Sequence, residues 1–145
     1  MKNVRIYTDG ACLGNPGPGG WAALLVYVDS QEQRREKTLA GYELRTTNNR
    51  MELLAAIRGL NGLREPCAVT LYSDSTYVIG MGMGMGHSRA VRNLDLVAAL
   101  RQAVQRHTRV TFQHIPGHSG HAENERVDTL ARSQAAQVKD ALQSA

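Results

Sequence analysis

The chain has 145 residues, of which 42% are hydrophobic and 21% charged, as expected of one domain with a buried core rather than of a disordered segment. Its longest apolar run, Trp21–Val28, is too short to span a bilayer, and Cys12 and Cys67 provide neither a disulfide framework nor zinc-ligand spacing. The net charge of +4 comes mostly from arginine, which permits a nucleic-acid partner without establishing one. We therefore expect a single domain over residues 1–145, located in the cytoplasm and without membrane contact.

Three strands open the predicted fold, at Asn3–Asp9, Trp21–Asp29 and Arg34–Tyr42. The polar turn between the second and third strands is short, so the three strands are predicted to form an antiparallel meander. The segment Gly10–Gly20 contains five glycines and two prolines and is predicted to be a loop.

Helices and strands alternate in the rest of the chain. A helix is predicted from a cap at or beside Thr47 to about Glu65, because Leu53, Ile57 and Leu60 recur at helical spacing and Pro66 prevents its continuation. The elements after it are a strand Cys67–Ser73, a short helix Tyr77–Ile79, a helix Asn93–His107, a strand Val110–Ile115 and a helix from Ala122 that frays after Lys139. The glycines of Gly80–Gly86 disfavour a helix in that run. This order predicts an α/β fold with a mixed sheet.

Chain direction places four carboxylates at one edge of this sheet. Asp9 and Asp74 end the first and fourth strands, Glu52 lies about one turn inside the first long helix, and Asp128 lies in the second turn of the last helix. Such a cluster repels itself unless cations neutralise it, and Mg²⁺ or Mn²⁺ prefers oxygen ligands of this kind. Four surface acids unrelated in space remain the alternative at this point.

Four blocks of the sequence resemble bacterial type 1 ribonuclease H. They are Tyr7–Gly20 (YTDGACLGNPGPGG), Thr46–Leu53 (TTNNRMEL), Tyr72–Ser75 (YSDS) and Gly117–Asp128 (GHSGHAENERVD). They occur in the order of the family, and the similarity covers nearly the whole chain. The resemblance implies an endonuclease that hydrolyses the RNA strand of RNA/DNA hybrids by two-metal-ion catalysis, leaving 5′-phosphate and 3′-hydroxyl ends.

The resemblance also implies a ribonuclease H-like fold, with a five-stranded mixed sheet of order 3-2-1-4-5 flanked by helices. It implies two Mg²⁺ ions per site, for which Mn²⁺ can substitute, held by Asp9, Glu52, Asp74 and Asp128. His118 matches the mobile active-site histidine of the family, which assists nucleophile activation or product departure. Glu125 is a weaker candidate near the second metal.

Substrate contacts are implied by the same blocks. Minor-groove contacts to 2′-hydroxyls are expected from Cys12, Asn15, Asn48 and Asn49. Thr47 and Asn93 are expected to grip a phosphate of the DNA strand. Residues 46–49 also suit helix capping, so part of this set has a structural alternative.

One segment departs from the family. Many bacterial relatives carry a Lys- and Trp-rich handle after the third carboxylate, whereas this chain has the Gly-Met run Gly80–Gly86 followed by only His87, Arg89 and Arg92 as basic side chains. We therefore expect a shortened handle, in a monomer. Three alternatives stay open: a hybrid-binding module without activity, a DNA strand-transfer enzyme of the same fold, and a zinc site at the histidines His114, His118 and His121.

Overall fold

A five-stranded sheet with helices on both faces forms the molecule. The structure is a computed structural model that describes residues 2–84, 92–117 and 121–144. Its strands are β1 (Asn3–Cys12), β2 (Gly17–Val28), β3 (Arg34–Thr46), β4 (Ala68–Ser73) and β5 (Arg109–His114). Its helices are α1 (Asn48–Asn61), α2 (Thr76–Gly82), α3 (Leu94–Gln105) and α4 (Ala122–Ser144). The sheet order, β3-β2-β1-β4-β5, confirms the order expected from the sequence resemblance.

Strand pairing brings the ends of β1 and β4 to the same edge. β1 to β3 form an antiparallel meander, whereas β4 pairs in parallel with β1 on one side and β5 on the other. Tyr7 of β1 lies opposite Tyr72 of β4, so Asp9 and Asp74 follow two residues later at neighbouring positions. The predicted convergence of the strand ends is therefore observed.

The sheet has two hydrophobic cores, one on each face. On one face, α1, α2 and α3 bury residues that include Ile6, Leu25, Leu53, Leu71, Val78 and Leu100. On the other face, α4 packs on the β1–β3 half and buries Tyr7, Leu24, Val26, Val127 and Ala131. The outer strand β3 keeps Tyr42 and Leu44 exposed beside Leu142 of α4.

Glycine allows α1 to approach the sheet closely. A Cβ on Gly59 would lie 2.9 Å from Ile6 Cγ2, and one on Gly10 would lie 2.5 Å from the backbone nitrogen of Glu52. Neither position has room for a side chain. α1 therefore packs tightly on the sheet, and its close approach at Gly10 brings Glu52 to the end of β1.

The prediction of a loop over Gly10–Gly20 is wrong for most of that segment. β1 continues to Cys12 and β2 already begins at Gly17, with Cys12 paired to Gly19. Gly20 serves packing rather than a turn, because a Cβ on it would lie 2.2 Å from the carbonyl oxygen of Ala131 in α4, whereas Gly14, with a φ of 74°, does lie in the connection between β1 and β2.

Three predicted helix ends also need correction. α1 stops at Asn61 instead of Glu65, with Gly62 as its C-cap, and α4 continues to Ser144 instead of fraying after Lys139. α2 extends through Gly82 into the Gly-Met run, because Gly82 packs directly against the Phe112 ring and this contact outweighs the low helix propensity of glycine. Met83 is the C-cap of α2, whereas Met85, Gly86, His87 and Arg89 lie outside the described residues. Among the described helices, none has the length and apolar composition needed to cross a bilayer.

Candidate active site

Three carboxylates meet at the edge where β1 and β4 end. Asp9, Glu52 and Asp74 each present a carboxylate oxygen within 4.8 Å of the other two. Parallel pairing of β1 with β4 aligns the two aspartates, and the close approach of α1 at Gly10 supplies the glutamate. Asp74 is followed by Ser75, whose side chain caps α2 and fixes the turn at the end of β4.

Burial makes this cluster hard to ionise. Asp9 and Glu52 are only 4% and 5% exposed. Burial raises the pKa of Asp9 to about 8, with the charge of Asp74 and a hydrogen bond and charge from Asp128 as further causes. Burial, then the charges of Asp9 and Asp74, raise the pKa of Glu52 well above its ordinary value. Without a cation, the cluster therefore retains protons near neutral pH.

The cluster suits a divalent cation. The Oε1 atom of Glu52 is buried and has no hydrogen-bond partner among the residues that the structure describes. A buried polar oxygen without a partner is costly, and a cation with oxygen ligands would satisfy it while removing the repulsion among the three carboxylates. The carboxylates, with no nitrogen or sulfur ligand among them, fit Mg²⁺ or Mn²⁺.

Asp128 stands beside this group of three rather than within it. Its carboxyl lies close enough to Asp9 to raise the pKa of that residue by hydrogen bonding, but its Oδ2 accepts a 2.7 Å hydrogen bond from Arg132 Nη2. The sequence analysis missed Arg132, although the i,i+4 spacing of an acid and an arginine on one helix was a readable signal.

The predicted catalytic histidine, His118, lies outside the described residues. Its neighbour Gly117 is close to the cluster, since a Cβ there would lie 3.5 Å from Asp74 Oδ2. Glu125 is exposed on α4, lines a groove with Leu24 and Thr38, and is not part of the group of three carboxylates. His114 and His121 are exposed, and in the described part of the chain the only grouped metal-ligating side chains are the carboxylates.

Three of the predicted groove contacts tie the β1–β2 connection to the start of α1. Asn15 Oδ1 accepts a 2.9 Å hydrogen bond from the backbone N–H of Asn48. The Cys12 Sγ lies 3.3 and 3.4 Å from the carbonyl oxygens of Thr46 and Gly17, either of which can accept its single S–H proton, and burial raises the pKa of this thiol. The side chains of Asn48 and Asn49 are exposed at this surface.

Thr47 and Asn93 are linked by Arg50. Thr47 Oγ1 caps α1 by accepting from the Arg50 N–H, and Arg50 Nη1 donates to Asn93 Oδ1 at 3.3 Å. Asn93 has a left-handed backbone (φ 58°) before α3, and its Nδ2 donates to the Tyr77 hydroxyl at 3.1 Å. Arg50 also makes a bidentate pair with Asp95 at 2.8 and 3.0 Å. The sequence analysis did not single out Arg50.

The family model, the similar sequences and the solved structures that match this chain belong to the same family. The family model "RNase H" matches residues 1–136. Ribonuclease H of Rhizobium meliloti (strain 1021) is 51% identical, and the alignment covers 91% of this chain and 90% of the relative. Ribonuclease H of Erythrobacter litoralis (strain HTCC2594) is also 51% identical, with 96% of this chain and 99% of the relative covered. The crystal structure of LC11-RNase H1 in complex with an RNA/DNA hybrid superposes with a TM-score of 0.75 at 26% identity, covering 92% of this chain and 97% of that one.

Proposed function

This chain belongs to the ribonuclease H family, and we propose that Asp9, Glu52, Asp74 and Asp128 are its metal ligands and catalytic carboxylates. It is an endoribonuclease that hydrolyses the RNA strand of RNA/DNA hybrids and uses Mg²⁺. The observation that carries the proposal for the residues is the group of three mutually close carboxylates, in which a buried Glu52 oxygen has no partner within the described part of the chain.

The carboxylates prepare the site for two cations. Bound Mg²⁺ supplies charge that lowers the pKa of water and stabilises the attacking and leaving oxygens of a phosphodiester. Asp9 and Glu52 must release their protons before they can bind a cation, because their pKa values are raised in the metal-free protein. Arg132 holds Asp128 beside Asp9, so that Asp128 can complete the ligand set.

His118 is proposed to carry protons at this edge. It follows Gly117, which lies next to Asp74, in a run that matches the mobile histidine of the family. An imidazole can accept a proton from the attacking water or donate one to the leaving oxygen near neutral pH.

The substrate contacts are proposed on the α1 side of the same edge. Asn15, Asn48 and Asn49 offer amide groups that can hydrogen-bond 2′-hydroxyls, and Cys12 holds this surface together through its thiol. Thr47 and Asn93 are proposed to contact a phosphate of the DNA strand, with Arg50 keeping them at a fixed spacing.

Several properties of the whole protein complete the proposal. We expect a single domain over residues 1–145, a monomer in the cytoplasm, activity with Mn²⁺ in place of Mg²⁺, and products with 5′-phosphate and 3′-hydroxyl ends.

The decisive experiment is cleavage of an end-labelled RNA/DNA hybrid, with single-stranded RNA and duplex DNA as companions, in Mg²⁺, Mn²⁺ and EDTA. Metal-dependent cutting of the hybrid alone is expected. Asp9→Asn should lower kcat by at least about 10³-fold, because it removes one ligand charge from the metal site. Asp140→Asn, an exposed residue of α4, is the matched control and should leave the rate unchanged.

Other outcomes would contradict the proposal. Full activity of Asp9→Asn would exclude this cluster as the catalytic site. Hybrid binding that survives EDTA without any cleavage would indicate a binding module, and cutting of duplex DNA would indicate a strand-transfer enzyme.

A further inference from the structure

Half of one sheet face has no helix on it among the described residues. α4 packs on β1, β2 and β3, whereas the side chains of β4 and β5 on the same face, apart from the buried Ala68, are exposed or half-buried. These side chains are polar or aromatic: Thr70, Tyr72, Thr111 and Gln113. An uncovered polar sheet face is open to a partner from solution.

Cations gather at the end of this face that is remote from the carboxylates. A cleft there is lined by Lys2, Asn3, Arg5, Thr70, Arg109 and Thr111, and no acidic side chain lines it. Lys2 is turned to the α1 side of the sheet, where it lies 3.7 Å from Glu65 and 4.3 Å from the Tyr27 ring, whereas Arg5 and Arg109 have no ion pair within the described residues. The cleft therefore combines uncompensated positive charge with neutral hydrogen-bond donors.

The cleft is continuous with the active-site edge. Arg5, Tyr7 and Asp9 alternate along one face of β1, so Arg5 and Asp9 are separated by four residues, or about 13 Å. Between them, the rings of Tyr7 and Tyr72 stack with centroids 4.7 Å apart, and the Tyr7 hydroxyl accepts a hydrogen bond from Arg5. Tyr72 is the half-buried member of this pair. We call Arg5, Thr70, Tyr72, Arg109 and Thr111 the basic strip.

We propose that the basic strip binds a single-stranded extension of the nucleic acid whose hybrid portion is held at the active-site edge. Guanidinium groups bind phosphates, and an aromatic side chain beside them provides a surface on which a base can stack. The proposal rests on the proposed function and adds a preference for hybrids with a single-stranded tail.

Geometry favours a single strand over a duplex. The proposed hybrid contacts, Asn15 and Asn48, lie at the start of α1, whereas the strip lies on the opposite face of the sheet. Duplexes are stiff, with a persistence length of about 50 nm, so a duplex bound at the edge cannot bend down this face. A single strand can, and about six nucleotides stacked at ~3.4 Å would cover the ~20 Å from Asp9 to Asn3 along β1.

The test compares KM and kcat for a blunt RNA/DNA hybrid with those for tailed versions of the same hybrid. Each tailed version carries one single-stranded extension of ten nucleotides, on the RNA or the DNA strand and at one end or the other. At least one tail is expected to lower KM about threefold or more, with kcat unchanged. The double variant Arg5→Gln/Arg109→Gln should abolish that benefit while leaving KM for the blunt hybrid as it was. Arg58→Gln/Lys139→Gln removes the same charge from exposed positions outside the strip and should keep the benefit.

A binding measurement without catalysis separates this inference from the proposed function. Fluorescence anisotropy of a labelled twelve-nucleotide single strand in EDTA should show about fivefold weaker binding by the strip variant than by its control. The plot of log affinity against log salt concentration should become less steep by about 1.4 for the strip variant. Each of its two lost phosphate contacts contributes ~0.7 to the steepness. The inference is overturned if no tail lowers KM, or if both double variants behave alike. Failure to cut any hybrid would instead contradict the proposed function.

Discussion

The buried carboxyl of Asp9 is expected to serve activity but to lower stability. It must ionise to bind a metal ion, and its ionisation destabilises the metal-free protein. Its raised pKa, about 8, means that the folded metal-free protein holds a proton that the unfolded chain releases near pH 4. The free energy of unfolding should therefore fall as pH rises from about 4 to 8. Asp9→Asn keeps the shape without the charge, so its stabilising effect on the metal-free protein should be about 4 kcal/mol larger at pH 9 than at pH 5.

Thermal unfolding in EDTA at the two pH values measures this effect. Asp140→Asn should shift the melting temperature at neither pH, because its side chain is exposed on α4. An equal gain for Asp9→Asn at both pH values would mean that ionisation of the buried Asp9 carboxyl is not the cause. Mg²⁺ should raise the melting temperature of the unsubstituted protein more at pH 8 than at pH 6, since ligands must lose protons to bind it.

A second residue, His107, joins three elements away from the active site. It is 8% exposed, its Nδ1 accepts from the Cys67 N–H at 3.2 Å, and its Nε2 lies 2.9 Å from the Leu60 carbonyl oxygen. The two contacts together require the proton on Nε2. His107→Ala would leave both backbone groups without this partner and should lower the free energy of unfolding by about 2–3 kcal/mol in urea. His114→Ala, on an exposed side chain of β5, should cost less than about 0.5 kcal/mol.

At the scale of elements, Arg50 fixes α1 to the start of α3. It makes a bidentate contact with Asp95 and a third hydrogen bond to Asn93, and the contact lowers the pKa of Asp95 to about 2. Arg50→Ala should raise KM for the hybrid about tenfold with little change in kcat, because Asn93 loses its position. Steady-state kinetics measures both constants.

Arg50→Lys provides the matched comparison, because lysine keeps the charge but lacks the planar fork that makes a bidentate contact. A KM close to that of Arg50→Ala would support positioning through geometry. A KM close to that of the unsubstituted protein would mean that positive charge alone suffices.

Local sequence signals predict some boundaries of helices and strands correctly and fail at others. Thr47 and Ser75 cap α1 and α2 as their residue types indicate. The Gly10–Gly20 segment was predicted to be a loop because glycine and proline usually mark turns, whereas here Gly20 is a strand residue that gives α4 room. This role of Gly20 depends on α4, which lies more than a hundred residues later in the chain, so no local sequence pattern predicts it.

At the scale of the whole molecule, the sheet edge that carries the carboxylates could be predicted from the sequence. Each carboxylate lies at or near one end of a strand or helix, and the connections between the elements indicate the direction in which each one runs. Asp9 and Asp74 are the clearest cases. The contact of Arg50 with Asn93 and the burial that alters the pKa of Glu52 were not predictable in this way. Both arise from side chains that meet only after the sheet and helices have packed.

The two outer strands give the molecule a further property, its tendency to associate at high concentration. β3 opens with Arg34, Arg35, Glu36 and Lys37, and charges of this kind discourage edge-to-edge pairing between molecules. Its second half instead exposes Tyr42 and Leu44 next to an unpaired strand edge. Aggregation in concentrated solution should therefore begin at the second half of β3, on the far side of the sheet from β5, and a lysine in place of Leu44 is the substitution best suited to improve solubility.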